Sequence, residues 1–168
     1  LQDKKLLLKK INQQSTRGDD PCYVSLDNTG KWLIAGNYSG GNFSVFPVDK
    51  KNGSIGASIN TINHHGKSID TLRQTKPHIH CTVFSPDNKY LLVADLGTDK
   101  IFSYAFNEQT GSVTATKKNI SVQAGAGPRH LTFHPNGKYV YLTEEMSGKV
   151  SVFSYDNGQL SSLQTINA

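Results

Sequence analysis

Three segments of this chain, Asn28–Asp49, Pro86–Asn107 and Pro135–Asp156, align without a gap over 22 positions. They read NTGKWLIAGNYSGGNFSVFPVD, PDNKYLLVADLGTDKIFSYAFN and PNGKYVYLTEEMSGKVSVFSYD. Each opens on a turn, passes through lysine, an aromatic and an apolar run, and turns again. It then returns along a strand that alternates about Phe46, Tyr104 or Phe153. A short apolar stretch precedes each segment (Tyr23–Leu26, Thr82–Phe84 and Leu131–Phe133). A glycine-containing hairpin (NGSI, TGSV or NGQL) follows and feeds a further β-rich stretch. The unit thus has one inner, two central and one outer strand, and it recurs about every 50 residues. Four-stranded units at this period are blades of a β-propeller, in which roughly four to eight blades close around a channel. One blade alone cannot bury both of its faces, so neighbours must cover them. An unrelated β-sandwich does not account for the gapless threefold alignment.

The expected fold class is therefore all-β, a segment of a propeller. Residues 1–19 read as the end of one blade, and 20–75, 76–126 and 127–168 as three more. The opening KKLLLKKINQQSTRG reads as a last strand whose partners lie upstream, and LSSLQTINA as an outer strand left incomplete. On this reading the natural protein is roughly twice as long.

Composition narrows the function classes. No apolar run approaches the ~18 residues that a spanning helix needs, so no membrane role is read. The net charge of +5 favours anionic partners, but the basic residues are not grouped as a nucleic-acid patch. Lys4, Lys5, Lys9 and Lys10 flank Leu6–Leu8 as the solvated edge of a strand would. Two cysteines, Cys22 and Cys81, give neither a disulfide framework nor a CxxC, which leans towards a reducing, cytoplasmic setting. No signal peptide is read at Leu1, and oligomeric state is not legible.

The repeat also locates a candidate site. The start of a blade's first strand and the end of its second lie at the same mouth of the channel. Six positions before the aligned turn stand Cys22, His80 and Arg129, while the second strands end at Asn37–Tyr38, Asp95–Leu96 and Glu144–Glu145. Scaffold positions repeat (Lys31, Lys89 and Lys138; Trp32, Tyr90 and Tyr139), whereas these mouth positions differ between blades, as a site requires. Arg129, Glu145 and His80 form the candidate group. Asp95 reads equally as an anchor for the turn before Lys100, and Glu144 as a support for its neighbour. His130 alternates away from Arg129, His134 belongs to the HPNGK turn, and His64 and His65 read as solvated in an outer loop. His78 and His80 share a strand face and are a conceivable metal pair, but Arg129 at the neighbouring equivalent position would repel a cation, so no metal is assigned.

GAGPRHLTFHPNGKYVYLTEE, KPHIHCTVFSPDNKYLLVADLGTDKI and NYSGGNFSVFPVD resemble the seven-bladed propeller lactonases, over nearly the whole chain. That family includes propeller-type 6-phosphogluconolactonases and the carboxymuconate-lactonising enzyme. The resemblance implies an arginine and a glutamate sixteen apart with a histidine one blade earlier, which Arg129, Glu145 and His80 match. The family's usual Asn-Glu pair reads Glu144–Glu145 here. What it implies chemically is cofactor-free, metal-free opening of an anionic sugar lactone. His80, Arg129 and Glu145 would be catalytic, and His78, Asp95, Glu144 and Asn37 would lie against substrate. The remaining site residues would come from other blades, so the segment alone is expected to be inactive. Two further readings stay open: the same site acting on another lactone or on a carboxymuconate, and a non-catalytic propeller that binds ligands or proteins.

Overall fold

In the computed structural model, which describes residues 8–168, three antiparallel sheets follow one another along the chain. The first holds β1 (Pro21–Leu26), β2 (Trp32–Asn37), β3 (Asn42–Pro47) and β4 (Asn60–Asn63). The second holds β5 (Ile79–Phe84), β6 (Tyr90–Asp95), β7 (Lys100–Asn107) and β8 (Ser112–Ala115), with the short β9 (Ile120–Ser121) also paired to β7. The third holds β10 (Pro128–Phe133), β11 (Tyr139–Glu144), β12 (Lys149–Asp156) and β13 (Gln159–Asn167). Strands neighbour one another in chain order, as in propeller blades. Among the described residues no helix is long and apolar enough to cross a membrane.

The repeat survives at the level of single dihedral angles. Gly30, Asn88 and Gly137 occupy the same turn position and all adopt positive φ, at 67°, 60° and 71°. These are residue types that enter the left-handed region at least cost. The next turn repeats the device with Gly41, Asp99 and Gly148 at φ of 60°, 52° and 66°. An aspartate thus stands where the other two blades have glycine.

Two apolar layers hold the blades together. Ile34, Phe43 and Val45 of the first blade pack against Ile79, Leu91, Val93 and Tyr104 of the second. Leu92, Ala94 and Ile101 pack against Leu131, Val140, Leu142 and Phe153 of the third. Leu91 to Ala94 are all fully buried, because successive side chains of β6 feed opposite layers. Each such aliphatic side chain contributes about 1.5–3 kcal/mol of burial free energy. The aromatics that repeat at the start of the second strand act as latches between blades. A Cβ on Gly111 would come within 2.4 Å of the Trp32 ring, and one on Gly158 within 2.4 Å of the Tyr90 ring.

Two expectations about the ends need correction. Residues 8–16 form no strand; they dock through side chains, with Asn12 exchanging hydrogen bonds with the Ile55 backbone. The remainder of the expected strand, including Lys4, Lys5 and most of Leu6–Leu8, lies outside the described residues. At the other end β13 pairs with β12 from Lys149 to Asp156, so the outer strand of the third blade is complete rather than partial.

Candidate functional site

The three equivalent positions at the channel mouth share a local irregularity. The pairing of each inner strand with its neighbour slips between Pro21 and Tyr23, between Ile79 and Cys81, and between Pro128 and Leu131. Cys22, His80 and Arg129 each sit inside one of these slips. A bulge breaks the in-and-out alternation and re-aims the extra side chain, so one irregularity, repeated three times, delivers a thiol, an imidazole and a guanidinium to one place. Glu145 is the first residue beyond β11, and its N–H donates to Gly127 O at 2.8 Å.

The imidazole and the guanidinium converge on the Glu145 carboxylate. Arg129 Nε lies 2.9 Å and His80 Nε2 3.4 Å from Oε2. On the other side Arg73 Nη2 lies 2.7 Å from Oε1 and donates to the Tyr38 hydroxyl at 3.0 Å. Arg129 Nε also donates to His80 Nε2 at 3.3 Å. His80 Nδ1 is buried without a partner among the described residues, which leaves Nε2 as the working nitrogen. Burial alone would raise the Glu145 pKa. The hydrogen bond and charge of Arg73, then His80 and Arg129, outweigh burial and hold it below the usual glutamate value. The groove in front of this cluster has a volume of about 620 Å³, with Asp20, Cys22, Tyr38, Arg73, His80 and Glu145 in its lining.

The expected substrate contacts are placed elsewhere. Asn37, Asp95 and Glu144 end the second strands of the three blades, and all three are buried. Asn37 Nδ2 donates to Thr16 O and to Asn42 Oδ1. Asp95 accepts from the N–H groups of His78 and Gly97 and bonds His64 Nδ1 at 2.8 Å. Glu144 accepts from Ser147 and Ser151. The shared strand end thus serves to hold neighbouring protein groups, and none of these three side chains lines the groove. His78 stacks on Tyr38 with ring centroids 4.4 Å apart and bonds Tyr38 O through Nδ1, so it backs the groove without lining it. The His78 and His80 rings lie against different sides of Tyr38, and no three His, Cys, Asp or Glu side chains among the described residues gather as a metal would need.

Two histidines also differ from expectation. His64 is buried, with Nδ1 on Asp95 and Nε2 accepting from the Tyr104 hydroxyl at 2.8 Å. His130 does not point away. It shares the slip with Arg129, and its ring stands edge-on to His80 at 5.2 Å. Burial, then Arg129 and His80, push its pKa down.

Arg73 and Tyr38 are the functional candidates that the sequence did not single out. Arg73 lies in the connection between β4 and β5, which has no counterpart in the repeat. One signal was present: the chain has only three arginines, Arg17, Arg73 and Arg129, among 18 basic residues. Two of the three meet at Glu145.

Comparison with known proteins agrees with this architecture. Residues 1–168 match the family model described as "Lactonase, 7-bladed beta-propeller". The chain is 36% identical over 160 residues to the 6-phosphogluconolactonase of Bacillus subtilis, covering 94% of this chain and 44% of that protein. It is 39% identical over 163 residues to the 6-phosphogluconolactonase of Formosa agariphila, covering 96% and 46%. The structure of the Pseudomonas aeruginosa periplasmic gluconolactonase superposes with a TM-score of 0.86 at 38% identity, covering 92% of this chain and 44% of that one. The chain therefore spans less than half the length of the relatives that it matches.

Proposed function

Since the chain belongs to the seven-bladed β-propeller lactonase family, we propose that it carries the hydrolytic centre of a lactonase whose substrate is a phosphorylated sugar lactone, 6-phosphogluconolactone. The observation that supports this most directly is the arrangement of Arg129, His80 and Glu145 about one carboxylate oxygen at the channel mouth. The relatives named 6-phosphogluconolactonase supply the substrate class.

The chemistry follows from the charges. Water adds to the lactone carbonyl carbon as Glu145 takes its proton, and the carbonyl oxygen gains negative charge. The terminal nitrogens of Arg129 have no partner among the described residues, and their positive charge stabilises that developing charge. The tetrahedral adduct collapses, the ring C–O bond breaks, and the leaving alkoxide needs a proton. His80 Nε2, 3.4 Å from Glu145 Oε2, takes the proton from the glutamate and releases it from the same nitrogen to the alkoxide, leaving an open-chain hydroxy acid. Every group returns to its starting state, and no cofactor enters the scheme. This is the hydrolysis used by the oxidative pentose phosphate route, and a cytoplasmic setting belongs to the same reading, supported by two free cysteines.

A second reading, an unphosphorylated gluconolactone as substrate, is favoured by the Pseudomonas relative's name. The test is lactone hydrolysis by the complete protein on 6-phosphogluconolactone and glucono-1,5-lactone, each with and without a chelator. The proposal expects chelator-resistant turnover with higher kcat/KM on the phosphorylated lactone. Equal values on the two favour the second reading, and loss of activity with chelator contradicts the scheme.

A further inference from the structure

The groove has a second cationic group that the hydrolytic scheme does not use. Arg73 enters from the connection between the first two blades, on the side of Glu145 opposite Arg129. Its side chain is 47% exposed, and one terminal nitrogen serves both Tyr38 and Glu145 Oε1. Three residues on, Lys76 Nζ donates to Ser39 O at 2.7 Å, next to Tyr38 in the turn. That bond holds Lys76 on the turn, and the groove lining includes Tyr38 and Arg73 but not Lys76. The Tyr38 ring is fixed between His78, stacked at 4.4 Å, and His80, edge-on at 5.3 Å, which sets the direction of its hydroxyl. This wall therefore presents a planar fork and a phenol, with Arg73 Nη2 and the Tyr38 hydroxyl 3.0 Å apart. A guanidinium matches tetrahedral oxyanions through paired N–H groups, and a hydroxyl adds a donor for a third oxygen.

We infer that Arg73, with Tyr38, is the arm that takes the phosphoryl end of the substrate, exchanging Glu145 Oε1 for a phosphoryl oxygen when substrate arrives. The inference rests on the lactonase reading of the same groove and adds the group that chooses the substrate. Before binding, Glu145 occupies the arm, and the two opposite charges satisfy each other across the groove. On binding, the carboxylate loses the partner that contributes most to its ionisation and becomes a stronger base when water must be deprotonated. Asp20 also lines the groove but forms no ion pair with the arm among the described residues. An uncharged lactone gains nothing from Arg73 and leaves Glu145 pinned.

The experiment uses the complete protein and its Arg73→Gln and Arg73→Lys variants. A charge-assisted hydrogen bond of this kind is worth a factor of about 10–100. Arg73→Gln is expected to lower kcat/KM on 6-phosphogluconolactone about 10–100-fold more than on glucono-1,5-lactone, mainly through KM. Arg73→Lys should recover part of the difference. Equal losses on both lactones would overturn the inference, since they would mean that Arg73 only holds Glu145 in place. Calorimetric titration with inorganic phosphate reads the arm without turnover. The unaltered protein should bind it at least tenfold more tightly than Arg73→Gln, and equal binding would overturn the inference too. If the unaltered protein hydrolyses neither lactone, the lactonase reading fails while the phosphate titration still decides the arm.

Discussion

Glu145 keeps its charge because of the company it has. Its pKa is depressed, so it is ionised above its unfolded value and stays ionised somewhat below it. The stability that this charge contributes is present above the ordinary glutamate value near 4.5 and is lost as pH falls through the depressed one. Carbon-13 NMR of the side-chain carboxyls, with the resonance assigned by its loss in Glu145→Gln, should show a midpoint below 4.5, and Arg73→Gln should move it upwards. A midpoint at or above that value in the unaltered protein would contradict the arrangement of cations described above. Residue by residue, the sequence told unevenly. Arg129, His80 and Glu145 were legible because the gapless repeat gives each an equivalent in another blade, and that comparison exposes what differs. Arg73 was not, because the connection that carries it has nothing to be compared with.

Asp99 shows what the elements do for the site. The other blades place Gly41 and Gly148 at its position, yet an aspartate holds φ of 52° there, a conformation that costs a non-glycine residue about 1 kcal/mol. Its carboxylate accepts from Ser68 Oγ at 2.5 Å, Gly125 N at 2.7 Å and Gly127 N at 2.8 Å. Gly127 in turn accepts from Glu145 N, and Arg129 follows two residues later. Asp99 thus fixes the GAG loop from which both charged groups are set. Asp99→Ala should cost about 2–4 kcal/mol in urea unfolding of the complete protein, because the buried Gly127 N–H and the half-buried Gly125 N–H lose their acceptor. Turnover should fall with it, and a loss under 0.5 kcal/mol, the range of about ±0.5 for surface changes, would show that the loop stands without it. Strands and turns were readable from spacing and composition, but the slips in β1, β5 and β10 were not, since a bulge leaves no mark in a short apolar run. That is why strict alternation sent His130 the wrong way. The ends of β2, β6 and β11 were located correctly, but spacing gives no sign that Asn37, Asp95 and Glu144 turn inwards, the first two to hold backbone and Glu144 to hold two serine hydroxyls. His64 misled for a related reason: β4 is a four-residue strand without clear periodicity, and the histidine just beyond it is drawn inside by partners on the next blade.

At the scale of the molecule, every part of the site crosses a blade boundary. Arg129 and Glu145 come from the third blade, His80 from the second, Tyr38 from the first and Arg73 from a connection between blades. Such a site is only as well placed as the contacts that register one blade on the next. Gly158→Ala tests that dependence, because its Cβ would meet the Tyr90 ring at 2.4 Å with φ at 81°. Overpacking and left-handed strain together should cost about 2–4 kcal/mol, read as a lower urea midpoint in the complete protein. An unchanged midpoint would mean that the aromatic latch carries no load. The central claim, that groups from successive blades meet at Glu145 to open a lactone, is tested most directly by the rate of 6-phosphogluconolactone hydrolysis by complete Glu145→Gln protein whose circular dichroism and urea midpoint match the unaltered form. A fall in kcat/KM of about 100-fold or more is expected, the usual contribution of a positioned proton acceptor; turnover at the unaltered rate in that folded variant would rule the arrangement out.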